Sequence, residues 1–105
     1  MRKYSRPNLN DVTLEEFLYA LGDPVRLGLV RALFDQEERL SCSEVAAKMN
    51  AEDMPPSTCN HHLGILREAG VICSKRSGVR VESCLRKDDI ENRFPGLLQA
   101  LLRYK

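Results

Sequence analysis

The chain has 105 residues, 43% hydrophobic and 30% charged, with a formal net charge of +1. That length fits one domain near the lower end of sizes that fold alone, and a helical domain so small often completes its core by dimerising. No apolar run approaches the ~18 residues of a membrane span, and the basic residues 1–7 lead into no apolar stretch, so the expectation is a cytoplasmic protein without membrane span or secretory signal.

Residues 1–11 read as a polar, flexible arm. Residues 12–21 place Leu14, Phe17, Leu18 and Leu21 at helical spacing, and Gly22 ends that helix. Asp23 caps a second helix, with Pro24 in its first turn, where the missing N–H would have no partner anyway. Val25, Leu27, Leu29, Val30, Leu33 and Phe34 make it apolar nearly all round, the pattern of a central core helix. Ser41 and Glu44 form a capping box for a short helix over residues 43–49. Residues 50–56, with two prolines and no periodicity, form a turn, and a helix over 57–69 follows, stopped by Gly70. Residues 71–76 and 79–85 are β-prone and flank Ser77-Gly78, a hairpin. Last, Ile90, Phe94, Leu97, Leu98, Leu101 and Leu102 outline an amphipathic helix over 90–103, begun or kinked near Pro95.

This order describes a single mainly α domain with a β-hairpin wing: a winged helix-turn-helix, with residues 41–69 the helix-turn-helix and 71–85 the wing. Such an arrangement offers one helix to a DNA groove and a cationic hairpin to the backbone beside it. On the 57–69 helix, Cys59, Leu63, Leu66 and Ala69 recur at helical spacing and should face the core. Ser57, Thr58, Asn60 and His61 then point outward, with Gly64 beside them. Small or hydrogen-bonding residues near a helix N-terminus can reach base edges. Plain capping is the alternative for Ser57 and Thr58, and a neutral polar surface for Asn60 and His61. His62 is a candidate phosphate contact that suits packing beside Leu63 as well. Arg76 and Arg80 flank the wing turn and, with Lys75 and Arg67, are candidate contacts to phosphate or the minor groove. Their alternative role is protection of an exposed sheet edge by charge.

The near-neutral total hides an uneven distribution. Between residues 57 and 87, Arg67, Lys75, Arg76, Arg80, Arg86 and Lys87 face only Glu68 and Glu82, whereas residues 23–53 are acidic by comparison. Basic charge gathered on one surface is the footprint of phosphate binding, with a solvated charged face as the bland alternative. No Ser/His/acid arrangement, glycine-rich phosphate loop or metal-ligand spacing occurs, so neither an enzyme nor a cofactor is expected.

Residues 18–27, Leu-Tyr-Ala-Leu-Gly-Asp-Pro-Val-Arg-Leu, resemble the "ALGDPTRL" opening of the ArsR/SmtB family of bacterial winged-helix repressors. Residues 57–63, Ser-Thr-Cys-Asn-His-His-Leu, and 66–72, Leu-Arg-Glu-Ala-Gly-Val-Ile, resemble that family's recognition helix and its exit. The likeness runs in consistent order over about residues 12–85, and two motifs at the right separation make it specific. It implies a homodimeric transcription regulator, usually a repressor that leaves an inverted-repeat operator when an inducer binds. The resemblance also implies that the first and last helices, 12–21 and 90–103, form the dimer interface. The stripes Leu14, Phe17, Leu18, Leu21 and Phe94, Leu97, Leu98, Leu101 suit that role, with an intramolecular core as the alternative for part of each. Expected partners are therefore double-stranded DNA and a second copy of the chain; the sequence does not reveal an inducer. A winged helix used for protein contact is the rival reading, and it predicts an apolar surface where 57, 58, 60 and 61 are polar.

Many members of that family sense metals. One site type has Cys-x-Cys at the start of the short helix; here Ser41 and Ser43 hold those positions around Cys42, and one thiolate does not replace the pair. The other type places Asp and His along the last helix, but residues 88–105 lack histidine. The two histidines present, His61 and His62, are adjacent and point about 100° apart on a helix. No metal is expected. A thiol switch is the livelier alternative. Cys42, Cys59, Cys73 and Cys84 include no Cys-x-x-Cys pair and should be free thiols in a reducing compartment. In one register Cys73 and Cys84 meet across the wing, and Cys42 and Cys59 belong to the two helices of one motif. Against both pairs stands the habit of free cysteine to pack as a small hydrophobe.

Overall fold

A computed structural model describes residues 6–104; residues 1–5 of the expected arm and Lys105 lie outside the described residues. A 3-10 turn at Leu9–Asp11 leads into helices α1 (Leu14–Leu21) and α2 (Pro24–Phe34), a short strand β1 (Leu40–Ser41), and helices α3 (Cys42–Lys48) and α4 (Pro56–Glu68). Strands β2 (Ile72–Ser77) and β3 (Arg80–Leu85) follow, then helices α5 (Lys87–Arg93) and α6 (Leu97–Leu102). Among the described residues, side-chain caps open three of the six α-helices, α1, α2 and α3. Thr13 with Glu16 and Ser41 with Glu44 close reciprocal capping boxes on α1 and α3. Asp23 accepts from the Val25 and Arg26 amides at 2.9 and 3.1 Å, with Pro24 in the first turn of α2.

Together α2, α3 and α4 enclose the core: Leu29, Val30 and Leu33 from α2, Val45 from α3, and Cys59, Leu63 and Leu66 from α4 are all buried. Val71 and Ile72 extend it into the root of the wing. The sheet is antiparallel in the order β1-β3-β2, with Leu40 opposite Ser83, and Ile72 opposite Leu85 running out to Ser77 opposite Arg80. Its hairpin turn is therefore Gly78-Val79, one residue later than the Ser77-Gly78 expected. Gly78, at φ 66°, takes the first position, where a two-residue hairpin needs a left-handed residue. Strand β1 was not expected, because two residues carry no readable alternation.

Three expectations are corrected. Pro7 to Asp11 are not a free arm: Leu9 and Val12 are buried, and two arginines strap the segment down. Arg93 donates from Nε to Leu9 O and from Nη2 to Val12 O, both at 3.0 Å, and Arg86 Nη1 donates to Pro7 O at 2.8 Å. Leu9 also packs where a Cβ on Gly70 would stand; Gly70 has φ +78°, so glycine is required there twice over. The helix over 90–103 is two helices. Phe94, Pro95 and Gly96 interrupt it, Pro95 lacking the N–H and Gly96 turning left-handed at φ 79°.

The third correction concerns the apolar stripes. Phe17, Leu21, Phe94 and Leu98 are buried within the single chain, and the Phe17 and Phe94 rings stack at 4.8 Å between centroids. Only the outer members remain: Leu14 is 45% and Leu18 40% exposed, while Leu97 and Leu101 are half-buried. Among the described residues no helix is long and apolar enough to cross a membrane.

The Asp23 cap supplies an acid-sensitive element. The Arg26 amide holds its carboxyl below the usual range; desolvation opposes this, while the Val25 amide and the Arg26 charge add to it. A carboxyl depressed in the folded state contributes stability above its unfolded pKa and loses it as pH falls through the folded value. Asp23→Asn keeps an accepting oxygen without titrating. The wild type's advantage over that variant, read from urea midpoints, should therefore hold at pH 7 and shrink below about pH 4. Asp23→Ala should lose about 1 kcal/mol at neutral pH. A wild type–Asn difference that is constant from pH 7 to pH 2 would contradict this account.

Candidate nucleic-acid interface

Helix α4 begins in a way that leaves its first turn open. Pro55 occupies the cap position and supplies no capping side chain, and Pro56 is the first helical residue. Ser57 and Thr58 follow inside the helix, so neither caps it. Their amides belong to the first turn, which has no intrahelical acceptors. Ser57, Asn60 and His61 are exposed and Thr58 is half-buried, while Cys59, Leu63 and Leu66 turn inward. The Cys42 thiol lies 3.3 Å from Asn60 Oδ1 and donates to it, which engages the amide oxygen and leaves the N–H donors available. One turn on, Gly64 has no neighbour nearer to a prospective Cβ than Arg67 Nη1 at 4.0 Å.

His62 is placed differently from the expected phosphate contact. Its Nδ1 lies 3.2 Å from Arg26 Nη1 and 3.9 Å from Asp23 Oδ2, half-buried against α2. A guanidinium has only donors, so Nδ1 is the acceptor in this contact. Arg26, only 7% exposed, donates in addition from Nε to Ala20 O at 2.7 Å and from Nη2 to Tyr19 O at 3.4 Å. Sequence reasoning missed it. The available signal was its position on the same stripe as Leu29, Val30 and Leu33, a charged residue at a core position.

In the wing, Lys75 and Arg76 are exposed and, among the described residues, have no ion-pair or hydrogen-bond partner. Arg80 is already paired, to Glu44 at 2.8 Å and Glu82 at 3.6 Å. The Ser41 amide first, and then Arg80, hold the Glu44 carboxyl below its ordinary range. Arg67 donates from Nε to Ser74 Oγ at 2.9 Å, and Ser74 contacts Ser83 at 2.7 Å, which ties α4 to both wing strands. Arg86 is spent on Asp89 and Pro7, and Lys87 Nζ lies 4.9 Å over the Phe34 ring. Half of the basic cluster therefore serves the fold, leaving Lys75, Arg76 and Arg80 for the surface. A cleft of about 600 Å³ is lined by Pro56 and Asn60 of α4, Cys42 of α3, and Val79 and Arg80 of the wing. The open end of α4 and the wing tip thus face the same space.

The four cysteines are free thiols. Cys73 and Cys84 are direct cross-strand partners with their sulfurs 3.3 Å apart. Cys59 donates to Cys42 O at 3.9 Å, and burial, with Cys42 beside it, pushes its thiol up to about 12. Among the described residues no three His, Cys, Asp or Glu side chains gather as they would around a metal ion.

Residues 21–72, from the end of α1 to the start of β2, match the family model of a helix-turn-helix domain. The uncharacterized HTH-type transcriptional regulator YceK of Bacillus subtilis strain 168 is 32% identical over 92 residues, spanning 88% of this chain and 89% of YceK. Among solved structures, the transcriptional repressor BigR of Xylella fastidiosa superposes with a TM-score of 0.65 at 26% identity, covering 86% of this chain and 83% of BigR. NolR of Sinorhizobium fredii, with a TM-score of 0.64 at 22% identity and coverage of 85% and 80%, bears on the fold alone. The likeness spans the helix-turn-helix and the wing together, and the chain belongs to the HTH-type transcriptional regulators, in their winged-helix form.

Proposed function

We propose that this regulator is a cytoplasmic repressor of the ArsR/SmtB type that binds an inverted-repeat operator as a homodimer. The carrying observation is that Pro56 and Asn60 of α4, a helix whose first turn has no side-chain cap, line the same cleft as Val79 and Arg80 of the wing tip. In this reading Asn60 and His61 read base edges, and Ser57 and Thr58 with their open amides grip a phosphate. Lys75, Arg76 and Arg80 follow the backbone beside the groove. Arg80 must first leave Glu44 and Glu82, so Arg76 carries more of the electrostatic work. The exposed pair Leu14 and Leu18, four residues apart on α1, supports pairing with a second copy, joined by Leu97 and Leu101 from the adjoining C-terminal helix. A two-fold dimer sets its recognition helices about 34–36 Å apart, one DNA turn.

Selection of bound sequences from a random DNA pool with the purified protein tests this directly. An enriched inverted repeat supports it, whereas no enrichment favours a nonspecific or protein-binding role. On the selected site, Asn60→Ala and His61→Ala should each lose about 1–3 kcal/mol while binding to random DNA changes little. Arg76→Ala should weaken both and lower the slope of log K against log salt by about one. Equal losses on both DNAs for all three variants would remove this division of labour.

Gly64→Ala separates folding from binding. The methyl group meets only Arg67 Nη1, at an ordinary contact of 4.0 Å, so the helix should gain about 0.5–1 kcal/mol of stability. If this face seats on DNA, the same variant should bind the selected site more weakly. A higher melting temperature with unchanged affinity would place Gly64 off the interface.

The dimer face is tested by Leu14→Glu with Leu18→Glu. Both side chains are exposed in the single chain, so circular dichroism should be unchanged. Sedimentation equilibrium should move from dimer to monomer, and binding to the full repeat should fall towards that of a half-site. A wild type that sediments as a monomer at micromolar concentration would overturn the homodimer.

A further inference from the structure

The Cys73–Cys84 pair takes no part in the interface described above. The two residues are directly opposed on antiparallel β2 and β3, a placement with Cα separations of about 4.5–5.5 Å, inside the ~4.4–6.8 Å that a disulfide spans. Their sulfurs already touch at 3.3 Å. Closing to a bond of about 2.05 Å needs small side-chain rotations and a slight change of strand twist. Cys73 is buried, but Cys84 is half-buried and both line a surface groove of about 430 Å³ whose walls carry Arg6, Arg39, Arg86 and Lys87 against Glu37, Asp88 and Asp89. A small oxidant can reach the pair there. In the other candidate, Cys42 with Cys59, the Cys59 thiol instead donates to the Cys42 carbonyl oxygen at 3.9 Å, across two helices rather than between paired strands.

Position gives the pair a consequence. It lies at the root of the wing, between the exit of α4 at Gly70 and the outboard cations Lys75, Arg76 and Arg80. The adjacent pair, Ser74 and Ser83, carries the hydrogen bond from Arg67 that links wing to recognition helix. A covalent staple one residue away would change the twist on which that linkage and the position of the wing tip depend.

We propose that Cys73 and Cys84 form an oxidisable dithiol that hydroperoxides close to a disulfide, and that the closed form holds operator DNA less tightly. The Cys84 thiolate attacks a peroxide oxygen, the O–O bond breaks, and hydroxide leaves, giving a sulfenic acid. The Cys73 thiol, losing its proton, then attacks that sulfur, the S–O bond breaks, and water leaves. In total, two thiols lose two electrons and two protons, and hydrogen peroxide becomes two waters. Desolvation and the neighbouring Cys73 hold the Cys84 thiol up, while Arg39 and Arg6 pull the other way. The closure should therefore quicken as pH rises, by roughly tenfold per unit below the thiol pKa. The effect on DNA rests on the operator-binding reading; formation of the bond does not.

The test uses the full chain, reduced and then treated with hydrogen peroxide. Trypsin cuts between the two cysteines, so closure yields residues 68–75 disulfide-linked to residues 81–86. That linked pair should appear in the wild type and in Cys42→Ser, and be absent from Cys84→Ser, with a thermal melt confirming that each variant is folded. Affinity of the oxidised wild type for the selected repeat should fall about tenfold, the scale of one charged hydrogen bond lost, and return with dithiothreitol. Cys84→Ser should bind equally well with and without peroxide. No linked pair, or a linkage through Cys42 and Cys59 instead, overturns the site. A linked pair with unchanged affinity overturns the control of DNA binding. Failure of the reduced protein to bind any DNA would count against the operator reading, while the peptide map would still decide the dithiol.

Discussion

The buried guanidinium of Arg26 is the contact on which the arrangement of helices depends. Its Nε and Nη2 donate to Ala20 O and Tyr19 O in the last turn of α1, where Tyr19 O also accepts from the Gly22 amide. Its Nη1 reaches His62 on α4, and the Asp23 carboxylate that caps α2 lies close to the same imidazole. The Tyr19 ring lies 5.5 Å beneath it. Burying a cation is unfavourable unless its donors are occupied, and here acceptors from α1 and α4 meet them around the capped start of α2. A lysine ammonium, a point charge without a planar fork, could not hold both helices at these angles.

That contact holds α4 at its middle, through His62, and the rest of the helix is fixed equally well. Cys59, Leu63 and Leu66 anchor its inner face in the core, and Arg67 binds its last turn to the Ser74–Ser83 pair of the wing. The outward residues at 57, 60, 61 and 64 are thereby carried on a rigid element whose position relative to the wing is set by hydrogen bonds. This matters because the electrostatic pull is small. Net charge is +1, Arg80 is paired with Glu44 and Glu82, and among the described residues the Lys75 and Arg76 side chains of the wing have no ion-pair partner. In the operator reading proposed above, a weak sequence-independent attraction leaves more of the binding to geometric fit.

Local chemistry was the legible part of this fold. The Asp23-Pro24 start, the Ser41–Glu44 capping box, the all-round apolar α2 and the glycine stop at Gly70 each act within a few residues, and the structure follows them. Periodicity was less complete. It identified Phe17 and Phe94 as apolar-face residues but could not say that each would cover the other. Leu97, Leu98, Leu101 and Leu102 continue the stripe of Ile90 and Phe94 so well that the break at Phe94–Gly96 was hidden behind an expected kink. Charge counting had the same weakness. Arg76 and Arg86 look alike in sequence, yet one projects into solvent while the other binds Asp89 and Pro7 across the chain. Likewise, nothing local to His62 distinguishes a phosphate contact from an acceptor for Arg26, because the partner lies 36 residues away.

Helix α1 acquires a double character from these contacts. One side buries Phe17, Ala20 and Leu21 in the core; the other leaves Leu14 and Leu18 exposed. Its final carbonyls, at Tyr19 and Ala20, are the acceptors that hold Arg26, and Arg26 is the donor that holds His62. Arg26 therefore links the end of α1 to the helix that carries Asn60 and His61, beside the direct packing of α1 on α4. Hydrogen bonds weaken steeply with distance and misalignment. A rotation of α1 would strain the 2.7 Å bond to Ala20 before it disturbed the apolar packing around Phe17, which has no comparable directionality. A change in the setting of α1 would thus reach α4 through this directional contact as well as through the direct packing of the two helices.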